Sequence, residues 1–309
     1  MRIYNLENNY CRYKVAFFIK TCIRDIQCFE QLIKSINEFN ADNIPICVSV
    51  ATSEYQIIKS IIDKYNVNYL LIKDEELAPI EELQFEQSLK PWVYQQIVKL
   101  NMYKLDYAEH FIVIDSDCYF IQKFYISDFL LNNKLPFLPI TSHTKGERIL
   151  MSILYRESKK YSEFKLREPD VIQKFLNRVG QPLTLDMPFV LTVDYLKYFL
   201  SYITEKGYSI EDILNICPNE MQWYLEFVLL KDLPFALASA FFMPFHLNTQ
   251  YQIFKYLGFT EKDFIPNYLG ILMNKGHVNE ITFKSSILGK IIRAIIRQNY
   301  RLTRGRYDK

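Results

Sequence analysis

Phe111-Ile112-Val113-Ile114-Asp115-Ser116-Asp117-Cys118-Tyr119-Phe120 is the stretch on which the reading of this chain turns. Four apolar residues rich in β-branching, without alternation and too short for a helix, predict a buried strand. Two carboxylates one residue apart then interrupt it. A desolvated, unpaired carboxylate is costly, so an interior strand does not normally finish this way. The economical reading is that the strand ends at a cleft where something positive meets the acids. Hard divalent cations such as Mg²⁺ or Mn²⁺ take oxygen ligands and share them with phosphates. Asp115 and Asp117 are therefore read as a metal–diphosphate site. The competing reading is a solvated turn at a strand end.

Upstream, Lys14 to Thr21 reads as a first buried strand, and Asp25 as a cap for a helix over Ile26 to Phe39. A second strand over Ile44 to Val50, a helix through Ile57, Ile58, Ile61 and Ile62, and a third strand over Val67 to Ile72 follow. Strand alternating with helix predicts a doubly wound, mostly parallel sheet. Asp74 to Gln87 is acidic and irregular, and Trp92 to Tyr107 has helical spacing. In such sheets ligands bind beyond the carboxyl ends of the strands, which places Thr21 on one rim with Asp115 and Asp117.

Downstream, Pro136 to about Arg178 mixes basic and aromatic residues without period and reads as a variable loop or lid. Thr184–Leu191, Phe235–Leu247 and Tyr268–Met273 read as strands, and Asp194–Tyr208 and Asn219–Leu230 as helices. Without repeats or a Pro/Ser-rich linker, residues 1–283 are expected to form one catalytic domain. Its nucleotide-binding half spans about 14–131 and its acceptor-side half 132–283.

Composition narrows the function classes. Half of the 309 residues are apolar and 23% are charged, an ordinary globular balance. Gly numbers only 8, and neither GxGxxG nor GxxxxGK[ST] occurs, so the Rossmann dinucleotide and P-loop fingerprints are both missing. The six cysteines include no CxxC pair and read as reduced small hydrophobes. The first 14 residues lack an apolar signal core, and no window approaches a membrane span. A cytoplasmic protein is expected.

Taken together, the hydrophobic strand ending in Asp-Ser-Asp, after three strand–helix units without a glycine-rich loop, resembles the nucleotide-diphospho-sugar glycosyltransferases of the GT-A fold and their DxD motif. Lys20-Thr21 followed by Asp25, the helix Trp92-x-x-Gln95-Gln96-x-x-Lys99-Leu100, and Glu220-x-x-x-Tyr224 are similar to a poorly characterised bacterial group with that fold. The resemblance spans roughly residues 14 to 275. It implies a Rossmann-like, mostly parallel central sheet flanked by helices, and transfer of a sugar from a nucleoside diphosphate with Mn²⁺ or Mg²⁺ bridging the acids and the diphosphate. A UDP-sugar is the expected donor.

By the same resemblance, Asp117 coordinates the metal directly, and Asp115 faces the ribose or the metal through water. Lys20, Thr21 and Arg24 at the end of the first strand are expected to hold the nucleotide or a phosphate. Gln96 and Lys99 share one helix face and are expected to reach sugar or diphosphate together. The alternative for that face is a solvated one, pairing with Glu86 or Asp106. A late third metal ligand, commonly His in this fold, points to His246, with His277 as runner-up. His110 and His143 read as surface residues. For an inverting transferase, a carboxylate base near the incoming hydroxyl is required, and Glu220, Asp186 and Asp194 are the candidates. Asp194 also reads as a helix cap.

The C-terminal segment is a separate signal. From Lys284 onward eight Lys/Arg stand against Asp308 alone, about +7, which leaves the rest of the +2 chain near −5. Ile287, Leu288, Ile291, Ile292, Ile295 and Ile296 recur at helical spacing. Residues 284–309 thus read as a basic amphipathic helix suited to an anionic membrane surface, or as a helix packed on the domain. The expected protein is peripheral at the inner face of the cytoplasmic membrane. Its acceptor would be a glycan or lipid-linked precursor of bacterial lipopolysaccharide or capsule. The net-acidic remainder argues against nucleic acid. A non-catalytic sugar-binding or assembly subunit is the alternative from another class. A haloacid-dehalogenase-like phosphatase is disfavoured by Tyr119 two residues after the second Asp and by the lack of GDGxxD.

Overall fold

The first strand, β1 (Tyr13–Lys20), is apolar from Val15 to Ile19 because it lies in the middle of the main sheet and is buried on both faces. In this computed structural model, residues 12–79, 91–141, 159–245 and 258–273 are described, with isolated positions 251, 254, 255, 294 and 298. The helix α1 (Ile26–Phe39) buries Phe29, Leu32, Ile33 and Ile36 at helical spacing. It leads to β2 (Ile46–Val50), α2 (Tyr55–Ile62) and β3 (Tyr69–Lys73). A four-residue helix, α3 (Asp74–Leu77), follows β3 directly. After residue 90 come α4 (Pro91–Leu100) and β4 (Ala108–Asp115).

β3, β2, β1 and β4 pair in that order, all parallel. The sheet closes on the far side of β4 with the antiparallel strand β9 (Phe189–Thr192). The mostly parallel α/β sheet flanked by helices, expected from the sequence, is therefore present. Alternation along the strands divides two cores. Phe17, Ile19, Ile112 and Ile114 pack with α1 and α2, while Ala16, Phe18, Phe111 and Val113 pack with α4. By the same alternation Lys20 and Asp115, registered partners at the strand ends, lie on the α4 side.

The decisive stretch is two strands rather than one. β4 ends at Asp115, and β5 (Cys118–Phe120) turns away into a different sheet. There it pairs antiparallel with β12 (Gly270–Met273), which also runs parallel to β11 (Phe242–Phe245). The Phe120 N–H donates to Ser35 Oγ on α1 at 3.0 Å, which fixes this bend against the first helix.

Several sequence expectations need correction. The helix through Trp92 stops at Leu100 and passes through a 3₁₀ turn (Met102–Leu105) to Asp106, whose φ is +46°. The region read as a lid contains regular elements among its described residues. β7 (Leu135–Thr141) pairs with β6 (Leu130–Leu131), β8 (Thr184–Leu185) and β10 (Ala236–Ala238), and α5 (Lys159–Leu176) follows. Pro136 and Pro139 in the strand, and Pro169 in the helix, hid both elements, since proline ordinarily argues against either. Thr184–Leu191 is two strands, β8 and β9. Beyond β9 lie α6 (Val193–Glu205), an unforeseen α7 (Ile210–Ile216), and α8 (Glu220–Leu230). Asp25 occupies the cap position of α1 but its side chain makes no cap bond. His110 is not a surface residue: it is 5% exposed in β4, its Nδ1 3.0 Å from Thr192 Oγ1 on β9.

Candidate active site at the carboxyl ends of the parallel strands

Parallel pairing brings the ends of β1, β2, β3 and β4 to one rim, and the polar residues there form two ion clusters. In the first, Lys20 Nζ sits 2.8 Å from Asp74 Oδ2 and donates to the Thr21 carbonyl at 2.7 Å. Ser49 Oγ donates to Asp74 Oδ1 at 2.6 Å. Burial raises the Asp74 pKa, and Lys20 and Ser49 oppose that shift. Sequence reasoning missed Asp74 and Ser49. The available signal was an acid placed directly after a strand of a parallel sheet.

In the second cluster, Lys99 on α4 is 3% exposed. Its Nζ stands 2.8 Å from Asp115 Oδ1 and 3.0 Å from Glu220 Oε1. Burial works against the Lys99 ammonium, but Asp115 and Glu220 together outweigh it and hold its pKa above the ordinary lysine value. Lys99 thus does not lie on a solvated helix face. One turn earlier, Gln96 Oε1 accepts the Glu220 N–H at 3.1 Å. The helix α8 is anchored at the same end: Asn219 Oδ1 accepts from the Gln222 N–H, and Asn219 Nδ2 donates to Glu168 on α5.

Asp117 stands apart from both clusters. Its Oδ1 is buried and has no hydrogen-bond partner. Burial, then the charges of Asp115 and Asp25, push its carboxyl pKa up to about 7. Among the described residues four buried side-chain polar atoms lack a partner, and three are Thr21 Oγ1, Gln96 Nε2 and Asp117 Oδ1. Buried polar groups are rarely left unpaired, and these three belong to the end of β1, to α4 and to the turn after β4.

The acidic pair fits a divalent cation by its chemistry. Asp117 presents an uncommitted oxygen, a hard donor of the type Mg²⁺ or Mn²⁺ selects. The four carboxylates Asp74, Asp115, Asp117 and Glu220 exceed the two ammonium groups Lys20 and Lys99 by two charges when fully ionised, an excess a divalent cation offsets. Among the described residues no group of three or more His, Cys, Asp or Glu is arranged to hold a metal. A cation there would have to draw further oxygens from a ligand and water, or from chain outside the described residues.

The other sequence candidates fall as follows. Asp186 precedes β9, and the antiparallel register Phe189 to Val113 brings the β8–β9 connection to the Asp115 end of β4. Asp194 lies past Thr192, which registers with His110 at the opposite half of β4, so it is removed from the rim. Arg24 is exposed in the 3₁₀ turn after β1. His246 and His277 lie outside the described residues, as do His143 and Glu86. The strands before the first two end together, Phe245 registering with Met273, whose N–H donates to the Asp117 carbonyl at 2.9 Å.

The fold and rim define an α/β protein with a cluster of acidic side chains and two largely buried lysines at the carboxyl edge of its sheet. Residues 13–161, which carry both acids, match a family of unknown function (DUF6492). No curated protein matches the chain. Among solved structures, mouse xyloside xylosyltransferase 1 in its apo form is similar over 87% of this chain and 100% of its own, at 10% identity and a TM-score of 0.48.

Proposed function

We propose that this protein is a divalent-metal-dependent glycosyltransferase that takes a sugar from a nucleoside diphosphate. The observation that carries the reading is the uncommitted buried oxygen of Asp117 beside Asp115, at the strand ends where α/β sheets bind ligands. The resemblance of the DxD segment, the Gln96–Lys99 helix and Glu220–Tyr224 to GT-A transferases supports it. Asp115 and Asp117 would hold Mn²⁺ or Mg²⁺, with His246 or His277 as a further ligand. A bound cation supplies charge stabilisation for a departing diphosphate.

Around it, Thr21 offers a free hydroxyl and Gln96 a free amide N–H to ligand oxygens. Lys20, fixed by Asp74, places a positive charge at the same edge, and Arg24 stands exposed nearby. Glu220 and Asp186 would be the carboxylates nearest an acceptor, with Glu220 paired to Lys99. The basic segment 284–309 would hold the enzyme at an anionic membrane face, where a glycan or lipid-linked acceptor for bacterial lipopolysaccharide or capsule is presented. Among the described residues no helix is long and apolar enough to cross a membrane.

Calorimetric titration with UDP, with and without Mn²⁺, tests the core of this reading. Binding that requires Mn²⁺ is expected, followed by turnover of one member of a nucleotide-sugar panel. Equal UDP binding with and without the metal, or none at all, would refute it.

A further inference from the structure

Glu220 is held at both of its polar ends. Its side chain is 8% exposed and turned onto the Lys99 ammonium, and its N–H is bound by Gln96. The Asn219 cap and the Asn219–Glu168 bond fix the first turn of α8 beneath it. A base for an incoming hydroxyl must reach that hydroxyl directly or through one water, whereas the Glu220 carboxylate here is paired with a buried cation. Lys99 in turn reaches Asp115 Oδ1, while the Asp115 side chain stays 40% exposed toward the rim.

We infer that Glu220 is a positioning residue for the acidic pair, setting through Lys99 the net charge that Asp115 presents. The inference rests on the metal-dependent reading above. With Lys99 alone, the charge of Asp115 would be cancelled by a neighbouring ammonium and its carboxylate drawn away from the rim. With Glu220 sharing that ammonium, the three side chains carry a net single negative charge. Asp115 then keeps an attraction for a cation while one of its oxygens remains anchored. The Lys99–Glu220 pair joins α4 and α8 at this point. An uncompensated Lys99 would be strongly disfavoured there.

Mn²⁺ binding to the full chain at pH 8, followed by electron paramagnetic resonance of the free ion, tests this without any turnover. Glu220→Gln makes the three-residue group neutral and is expected to weaken Mn²⁺ binding about tenfold, the effect of one charge at short range. Lys99→Met combined with Glu220→Gln returns the group to a single negative charge, and should bring affinity back to within about threefold of the unmodified protein. Glu220→Asp keeps the charge and should retain affinity; Glu220→Ala, which also removes the charge, replaces the Gln comparison if melting curves show the Gln variant unfolded.

A Glu220→Gln protein that is folded and binds Mn²⁺ as the unmodified chain does would overturn the inference alone. So would a double variant no better than the single one, since that is the behaviour of a packing residue. A group serving only the acceptor would leave Mn²⁺ affinity unmoved. If the unmodified chain binds no Mn²⁺ at all, the metal-dependent function fails and this role for Glu220 fails with it.

Discussion

The Met273 N–H donates to the Asp117 carbonyl at 2.9 Å, so the last strand of the small sheet ends on the second acid of the pair. Gly270 begins that strand. A Cβ added there would come within 2.5 Å of the Phe242 ring and of the Tyr119 carbonyl. The second contact is backbone and cannot be relieved by a rotamer change. Gly270→Ala is therefore expected to cost about 1–3 kcal/mol, read by denaturant unfolding, and to weaken Mn²⁺-dependent UDP binding by shifting β12 from Asp117. A variant of unchanged stability would show that β5 and β12 separate freely.

Lys20 and Asp74 form an enclosed ion pair at the rim, with side chains 9% and 2% exposed. Lys20→Met leaves Asp74 buried without its cation and should cost roughly 3–5 kcal/mol. Adding Asp74→Leu should recover much of the loss, because an apolar pair in the same space has no charge to desolvate. If the single and double variants lose equal stability, the pair is not what holds these strand ends.

Asp117 contributes a pH dependence of definite sign. Its folded-state pKa, near 7, lies above that of an unfolded aspartate, about 3.9. Its favourable contribution is fully present below the unfolded value and is lost as pH rises through 7. Cation binding needs the ionised form, so the rise in melting temperature produced by Mn²⁺ should be larger at pH 8 than at pH 6. Asp117→Ala should fold, melt at least as high as the unmodified protein at pH 8 without metal, and lose Mn²⁺-dependent UDP binding. A shift that is the same at both pH values would remove this carboxylate from the metal site.

His110 acts in the opposite direction. Burial, followed by the charge of Lys14, lowers its pKa to about 4, below an unfolded histidine near 6.5. The unfolded chain therefore takes up a proton first, and stability is lost as pH falls from about 6.5 to 4. This slope opposes that of Asp117 over the same range, so each is measured as a difference from its own variant. His110→Gln should flatten the acid side of the stability profile; an unaltered slope would mean that the imidazole is protonated in the folded protein.

The basic segment makes a separate prediction. Removing residues 284–309 should abolish co-sedimentation with vesicles containing anionic lipid while sparing Mn²⁺-dependent UDP binding, since each Lys or Arg near such a surface contributes about 1 kcal/mol. Equal recovery on vesicles before and after truncation would refute the membrane role.

The amino-acid sequence by itself determined the bounds of α1, the alternation of strand and helix through Lys73, and the place of Asp115 at a strand end. Those are local matters: a strand buried on both faces must be continuously apolar, and an amphipathic helix must repeat its apolar residues every three to four positions. Only the tertiary structure decided that Lys99 meets both Asp115 and Glu220, that Asp74 fastens Lys20, that Asp186 approaches the rim and Asp194 does not, and that a proline-bearing strand and helix lie where no period is visible. A buried charge carries no mark in the sequence naming its partner. The partner is chosen by which helix the sheet brings alongside it, and the cost of leaving it unpaired is what makes that choice binding.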